Sequence, residues 1–76
     1  MQELVEYMVK ALVDEPDAVS VQPVQGANLT VFQVTVAPAD LGKVIGRGGR
    51  IADALRSIVK AAATKTRDRA TVEILS

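Results

Sequence analysis

The spacing of the apolar residues changes repeatedly along this chain, and these changes constrain its fold more than any other feature. Where apolar side chains recur three and four positions apart, as in residues 2–14, they indicate a helix with one buried side. Where they alternate with polar ones, as in residues 29–37, they indicate a strand. Proline and glycine mark most of the breaks between these stretches. The pattern predicts helices over residues 2–14, 39–44 and 50–66 and strands over residues 18–25, 29–37 and 70–75.

The connections between the strands predict how they pair. Gly26-Ala27-Asn28 is a short turn, so the first two strands should form an antiparallel hairpin. Pro23 within the first strand favours an edge position, because proline has no N–H to donate. A helical crossover joins the second strand to the third, so these two should be parallel and the crossover right-handed. We predict an α+β fold in which three helices cover one face of a three-stranded mixed sheet, burying Phe32, Val34, Val36, Val72 and Ile74.

The long helix over residues 50–66 has more than one apolar side. We predict that its buried side consists of residues at spacings of four, three and four, namely Ile51, Leu55, Ile58 and Ala62. The polar side opposite consists of Arg50, Asp53, Ser57, Lys60 and Thr64. Three small residues recur along a further side and indicate either close internal packing, which we favour, or a contact between copies: Ala52, Val59 and Ala63.

Length and composition exclude several classes of protein. A chain of 76 residues has room for a single small domain, residues 1–76. The absence of cysteine and histidine excludes disulfides, thiol chemistry, imidazole bases and the usual zinc ligands. No apolar run approaches the roughly 20 residues of a membrane span, and we expect a cytoplasmic protein. Asp40 and Asp53 are not placed together by the sequence, so we expect no catalysis, no cofactor and no metal.

The charges divide unevenly although the formal net charge is zero. Residues 1–40 carry one basic and six acidic side chains, whereas residues 41–76 carry eight basic and three acidic ones. This division favours a polyanion as the partner of the second half. It is equally consistent with two separately solvated surfaces, and charge alone does not decide between the two interpretations.

A glycine-rich stretch, residues 46–49, separates the two helices of the second half. Its glycines allow positive φ angles and the close approach of another molecule. The stretch also opens the long helix, whose first N–H groups have no partners within the helix and lie at the positive end of its dipole. Lys43, Arg47 and Arg50 lie within a few residues of those donors. The combination is typical of a site for a phosphate or a phosphodiester backbone.

Spacing decides which phosphate site this is. No glycine is followed by Lys-Ser or Lys-Thr, so the stretch is not a Walker A loop, and Ile51 occupies the third glycine position of a dinucleotide fingerprint. The pattern that fits is an apolar pair, Val44-Ile45, followed by Gly-x-x-Gly between two helices. KH domains use this pattern to clamp about four nucleotides of single-stranded nucleic acid.

The element order and several further stretches resemble the KhpA family, small bacterial proteins with a type II KH domain. The matching stretches, besides the loop, are residues 3–7, 11–14, 16–17 and 59–63. The resemblance implies a cytoplasmic protein that binds RNA as an RNA chaperone or regulator and forms a homodimer. It also implies pairing with a larger KH-containing protein, KhpB, linked to cell shape, elongation and cell division.

The resemblance further implies which residues bind RNA. The three glycines would admit the RNA backbone, Arg47 would meet a phosphate, and the flanking basic residues would add attraction. The apolar pair, with Ile51 or Leu55, would form a floor under the bases, and the edge of the strand over residues 29–37 would form the far wall. The complete set of RNA-binding residues is Lys43, Val44, Ile45, Gly46, Arg47, Gly48, Gly49 and Arg50.

A second function class remains open, a dimerisation or partner-docking module in which RNA binding is secondary. The basic glycine-rich loop favours RNA binding, and the neutral net charge favours docking. Outside the loop we interpret Arg56 and Lys60 as a solvated helix face. We expect Asp53 to pair with Arg50 or Ser57.

Overall fold

The computed structural model describes residues 1–75, and its helices and strands follow the predicted order. The helices are α1 (Gln2–Leu12), α2 (Leu41–Ile45) and α3 (Arg50–Lys65), and the strands are β1 (Ser20–Gln25), β2 (Thr30–Thr35) and β3 (Ala70–Ile74). Single 3-10 turns precede β1, α2 and α3 at Pro16–Ala18, Pro38–Asp40 and Arg47–Gly49. Within the described residues no helix is both long and apolar enough to span a bilayer.

The sheet has the strand order β1-β2-β3 and is mixed, as predicted. β1 pairs antiparallel with β2, placing Val21 opposite Val34, and β2 pairs parallel with β3, placing Phe32 beside Val72. β1 is an edge strand, which confirms the position expected from Pro23. β2 is paired along both sides, so the prediction that its edge forms the wall of a groove is wrong. β3, which packs beside α3, is the edge strand on that side.

The core lies between one face of the sheet and the three helices, which confirms the predicted layers. Alternate strand residues point into it, with Phe32, Val34, Val36 and Val72 buried and Ile74 half-buried. The helices contribute mainly valines, whose burial stabilises the fold by about 1.5–3 kcal/mol each relative to full exposure. The largest of the completely buried apolar side chains are Val5, Val9, Val34, Val44 and Val59.

The buried side of α3 differs from the prediction by about one residue. It consists of Ala52, Leu55, Val59 and Ala63, whereas Ile58, predicted to be buried, is 47% exposed. A helix that presents alanine and valine can approach the sheet more closely than one that presents isoleucine. Ile51 and Ile58 therefore lie on the side of α3 that faces α1. Ala52, Val59 and Ala63 are buried, which agrees with the interpretation that these small residues serve close internal packing.

Candidate nucleic-acid interface

Gly46 sets the geometry of the loop between α2 and α3. Its backbone has φ 76°, a left-handed value that favours glycine, and its N–H donates to the carbonyl of Gly42 at 2.9 Å. A Cβ atom placed on Gly46 would lie 2.6 Å from Cγ1 of Ile51, well inside van der Waals contact. The first turn of α3 is therefore packed directly against the backbone that ends α2, and any side chain at this position would push the two apart.

Gly48 lies at the exposed tip of the same loop. It also has a left-handed backbone, with φ 65°, but apart from Gly48 itself and its two chain neighbours no residue has an atom within 4 Å of the position that its Cβ would occupy. The requirement for glycine here comes from the backbone angle alone. The open space beside Gly48 allows an extended polymer to approach the main chain closely.

The beginning of α3 supplies donors and positive charge next to this open space. α3 has 16 residues. The N–H of its first residue, Arg50, donates to the carbonyl of Arg47, and no side chain in the described part of the protein caps the N–H groups that follow. Arg47 and Arg50 are exposed, and among residues 1–75 neither has a carboxylate within 4.0 Å. The helix dipole and these two guanidinium groups therefore add to one positive field.

Lys43 is held differently from the two arginines. Its ammonium group pairs with Asp14 and lies 3.3 Å from Oδ1 of Asp40. The latter carboxylate is only 1% exposed, and its Oδ2 accepts the backbone N–H of Glu15 at 3.0 Å. Two acidic groups offset the charge of Lys43, which weakens its attraction for a phosphate. The cluster also ties the segment after α1 to the start of α2.

The pKa values of this cluster move in the directions that ion pairing predicts. Burial alone would raise the pKa of Asp40, but backbone hydrogen bonds from Asp14 and Glu15 and the pairing with Lys43 lower it below its ordinary value. The hydrogen bond to Asp14 raises the pKa of Lys43, against the opposing effect of burial. Both groups are therefore charged across the neutral range.

The two apolar residues before the loop have different positions. Val44 is completely buried in the core, where it anchors α2 and is out of reach of a ligand. Ile45 is half-buried, as is Ile51 after the loop, whereas Leu55 is 5% exposed. The apolar surface available beside the loop therefore belongs to Ile45 and Ile51, while Val44 and Leu55 support it from beneath.

Arg56 joins α3 to β3 and was not singled out as a site residue from the sequence. Its Nε donates to the carbonyl of Val72 at 3.0 Å, and one terminal nitrogen lies 3.0 Å from Oδ1 of Asp53. Asp53 thus pairs with Arg56, and the expectation of a bond to Arg50 or Ser57 is wrong. The spacing could have indicated this, because residues 53, 56 and 60 recur at three and four positions along one side of a helix.

The groups around the loop together form a surface that can bind an extended ligand. Within residues 45–51 it combines an open glycine-rich backbone, helix N–H groups without a side-chain cap and a small apolar surface. It also includes two arginines that have no carboxylate within 4.0 Å among residues 1–75. Among the described residues no three acidic side chains converge on a point that could hold a metal ion. An extended polyanion with apolar faces matches these groups.

Comparison with known proteins places the chain in a family. The KH domain described as KhpA/KhpB matches residues 2–74. The RNA-binding protein KhpA of Caldanaerobacter subterraneus subsp. tengcongensis is 53% identical over 75 residues, covering 99% of this chain and 100% of the relative. The KhpA proteins of Clostridium acetobutylicum and Chlamydia trachomatis are 49% and 39% identical, with 99% of this chain and 100% and 96% of the relatives covered. No solved structure matches the chain. With this match over nearly its whole length, and with helices and strands in the order of a type II KH domain, the chain belongs to the KhpA/KhpB family of KH domains.

Proposed function

We propose that this protein binds single-stranded RNA without catalysis and holds about four nucleotides beside the loop of residues 46–49. The observation that carries the proposal is the open backbone at Gly48 between Arg47 and Arg50, which have no carboxylate within 4.0 Å among residues 1–75. The relatives carry the name RNA-binding protein, which agrees with this assignment.

Each group around the loop has a role in the proposed complex. Gly48 lets the RNA backbone approach, while Arg47 and Arg50 contact phosphates. N–H groups in the first turn of α3 after Arg50 donate to a phosphate oxygen, as helix N-termini do in other phosphate sites. Ile45 and Ile51 support a base through apolar contact. Lys43 adds attraction from farther away, reduced by the carboxylates of Asp14 and Asp40.

The proposed site predicts modest, salt-dependent affinity. About four phosphate contacts on a single strand give a slope of log affinity against log salt of about −3. Since the whole chain has a formal net charge of zero, little attraction comes from outside the basic half. We expect dissociation constants in the micromolar range, on the order of 10⁻⁶ M, for a short oligonucleotide.

Fluorescence anisotropy with a labelled four-nucleotide oligouridylate at two salt concentrations tests the proposal. The test variant is Arg47→Asp with Gly48→Asp, which places two carboxylates at the tip of the loop. The control is Lys10→Asp with Ser20→Asp, which makes the same change in net charge at exposed positions on α1 and β1. Circular dichroism verifies that each variant is folded.

The loop variant and the control variant should differ in RNA affinity. Loss of binding in the loop variant, with near wild-type binding in the control, supports a clamp at the loop. Equal effects of the two variants would mean that net charge alone attracts RNA, and absence of binding by the wild type would remove the function altogether.

An apolar cleft between α1 and α3 supports a second proposed property, self-association. Tyr7 is 75% exposed and Ile58 is 47% exposed, and both line this cleft together with Met8, Ile51 and Ala54. Exposed apolar surface of this kind is typical of interaction sites. We propose that a second copy of this chain covers it, because a chain of zero net charge meets no overall repulsion from its own copy.

Sedimentation of the wild type and of Ile58→Glu over a range of concentrations tests this homodimer. Val24→Glu is the matched control, since Val24 is 44% exposed on β1, away from the cleft. A monomeric Ile58→Glu with a dimeric control supports the proposal, and a wild type that is monomeric throughout overturns it. Pairing with a KhpB-type protein, an RNA chaperone role and involvement in cell shape or division remain predictions from the family resemblance.

A further inference from the structure

The apolar cleft between α1 and α3 reaches the proposed RNA site. Arg50 and Ile51, which lie beside the loop at the start of α3, also line this cleft, together with Tyr7 and Ile58 farther along the two helices. Arg50 is exposed and Ile51 is half-buried, so both present surface to whatever covers the cleft. The same two side chains therefore belong to two surfaces, one proposed to bind RNA and the other proposed to bind a second copy.

The two helices run in opposite directions along the cleft. Met1, just before α1, lines a neighbouring cavity with Ala62 and Thr66, near the end of α3. Leu12, at the end of α1, and Arg50, at the start of α3, both line the cleft itself. The beginning of α1 therefore lies at the end of the cleft opposite to Arg50.

An acidic side chain lies at that opposite end. Glu3 precedes Tyr7 by four positions, and residues four positions apart lie on the same side of a helix. Glu3 is exposed, and among residues 1–75 it has no basic group within 4.0 Å, just as Arg50 has no carboxylate. The cleft thus has an apolar middle, a positive charge at one end and a negative charge at the other.

This distribution of charge is self-complementary. A two-fold rotation about the middle of the cleft brings the apolar parts of two copies together and places each Arg50 beside Glu3 of the other copy. Ile58 follows Arg50 by eight residues, which corresponds to about 12 Å along a helix, so the contact extends over about two turns. Each ion pair offsets the cost of covering a guanidinium group with apolar surface.

We propose that self-association and RNA binding exclude each other at Arg50 and Ile51, so that RNA converts the dimer to RNA-bound monomers. The inference rests on the RNA binding and self-association proposed above, and it adds regulation of the RNA site by a second copy. In the dimer, Glu3 of the other copy pairs with Arg50, and Ile51 is covered. In the RNA complex a phosphate replaces that carboxylate, because the two negative groups repel each other at one guanidinium. RNA and the second copy therefore weaken each other's binding by the same factor.

Sedimentation velocity of the wild type with increasing four-nucleotide oligouridylate tests the exclusion. If only the monomer binds RNA, free RNA at about ten times the dissociation constant of its complex should raise the apparent dissociation constant of the dimer about a hundredfold, because both chains of each dimer are held as monomers. A dimer that persists with RNA bound to both chains would overturn the proposal while leaving RNA binding and self-association intact.

Glu3→Gln tests the pairing with Arg50. It should raise the dissociation constant of the dimer about threefold to tenfold, because two ion pairs are lost from each dimer. Affinity of the dilute, monomeric variant for the oligouridylate should change less than about twofold, since Glu3 lies at the far end of the cleft from the loop and its charge is largely screened there. Asp17→Asn is the control, because it removes the same charge at an exposed position that does not line the cleft.

The outcomes separate this inference from the proposed RNA binding. Equal effects of Glu3→Gln and Asp17→Asn on the dimer would overturn the competition between Glu3 and RNA for Arg50. A wild type that binds RNA but is monomeric at every concentration would overturn the inference and leave the RNA function standing. A wild type that dimerises but does not bind the oligouridylate would mean that the proposed function itself is wrong, and the inference with it.

Discussion

Asp40 accepts the backbone N–H of Glu15 at 3.0 Å while it pairs with Lys43 at 3.3 Å, so one buried carboxylate holds the end of the α1 segment against the helix that leads into the loop. The N–H donor lies 25 residues before Asp40 in the sequence, on the far side of the β1–β2 hairpin, and the ammonium group belongs to a residue three positions after Asp40. The loop is therefore positioned by a charged anchor as well as by apolar packing.

Because of this anchor, the free energy of unfolding should depend on pH. The folded-state pKa of Asp40 is lowered below the ordinary value of 3.8, so its stabilising effect is present above that value and is lost as the pH falls through the folded pKa. We expect the urea midpoint to fall between pH 5 and pH 2. Asp40→Asn keeps an acceptor for the N–H of Glu15 but removes the charge, so it should show a smaller fall.

Urea unfolding followed by circular dichroism at pH 5, 3.5 and 2 measures this difference. Asp17→Asn, at an exposed position in the turn before β1, is the matched control. If the control flattens the pH profile as much as Asp40→Asn does, the anchor contributes nothing specific.

Asp14 should weaken RNA binding through Lys43. The carboxylate of Asp14 is 78% exposed and pairs with the ammonium group, so it competes with any phosphate for that charge. Asp14→Asn should raise affinity for the four-nucleotide oligouridylate and steepen the salt slope by up to about 0.7, the value of one added contact. Anisotropy titrations of this variant beside Asp17→Asn, which makes the same charge change elsewhere, measure the effect. Equal gains in both variants would indicate general electrostatics.

The order of helices and strands and their pairing could be predicted because the signals are local. The alternation around Phe32, the turn at residues 26–28 and Pro23 each act within a few positions, and together they allow one arrangement of the sheet. The loop could be located for the same reason, since its glycines indicate a backbone with positive φ angles and the adjacent arginines indicate its positive charge.

What escaped prediction depends on distances that the sequence does not encode locally. Two neighbouring sides of α3 are apolar, and the choice between Ile58 and Val59 as the buried residue depends on how closely the helix approaches the sheet. The pairing of Lys43 with Asp14 joins residues 29 positions apart. The contact between Arg56 and Val72 likewise follows from the edge position of β3, which only the complete sheet determines.

Valine-to-alanine substitutions test which side of α3 is buried. Val59 is completely buried, so Val59→Ala removes two methyl groups from the core and should lower the free energy of unfolding by about 2 kcal/mol. Val24→Ala removes the same groups from a side chain that is 44% exposed and should cost less than about 1 kcal/mol. Denaturant unfolding of both variants measures the difference. Similar losses in both would contradict the observed placement of α3.

Alanine substitutions at two glycines, one in the loop and one in α2, should change the free energy of unfolding in opposite directions. Gly46→Ala should lower the free energy of unfolding by about 1–3 kcal/mol, because the new Cβ would lie 2.6 Å from Ile51 and the backbone angle of 76° disfavours a side chain. Gly42→Ala should raise it by about 0.5–1 kcal/mol, since Gly42 is helical and has open space around its Cβ position.

Denaturant unfolding measures both changes in the free energy of unfolding, and RNA titration of the two folded variants separates the effect on packing from the effect on binding. Gly42→Ala should leave RNA affinity unchanged, whereas Gly46→Ala should reduce it, because a displaced α3 carries Arg50 and the N–H donors away from the loop. A stable Gly46→Ala that binds RNA normally would mean that the close approach of Gly46 to Ile51 is not needed to form the site.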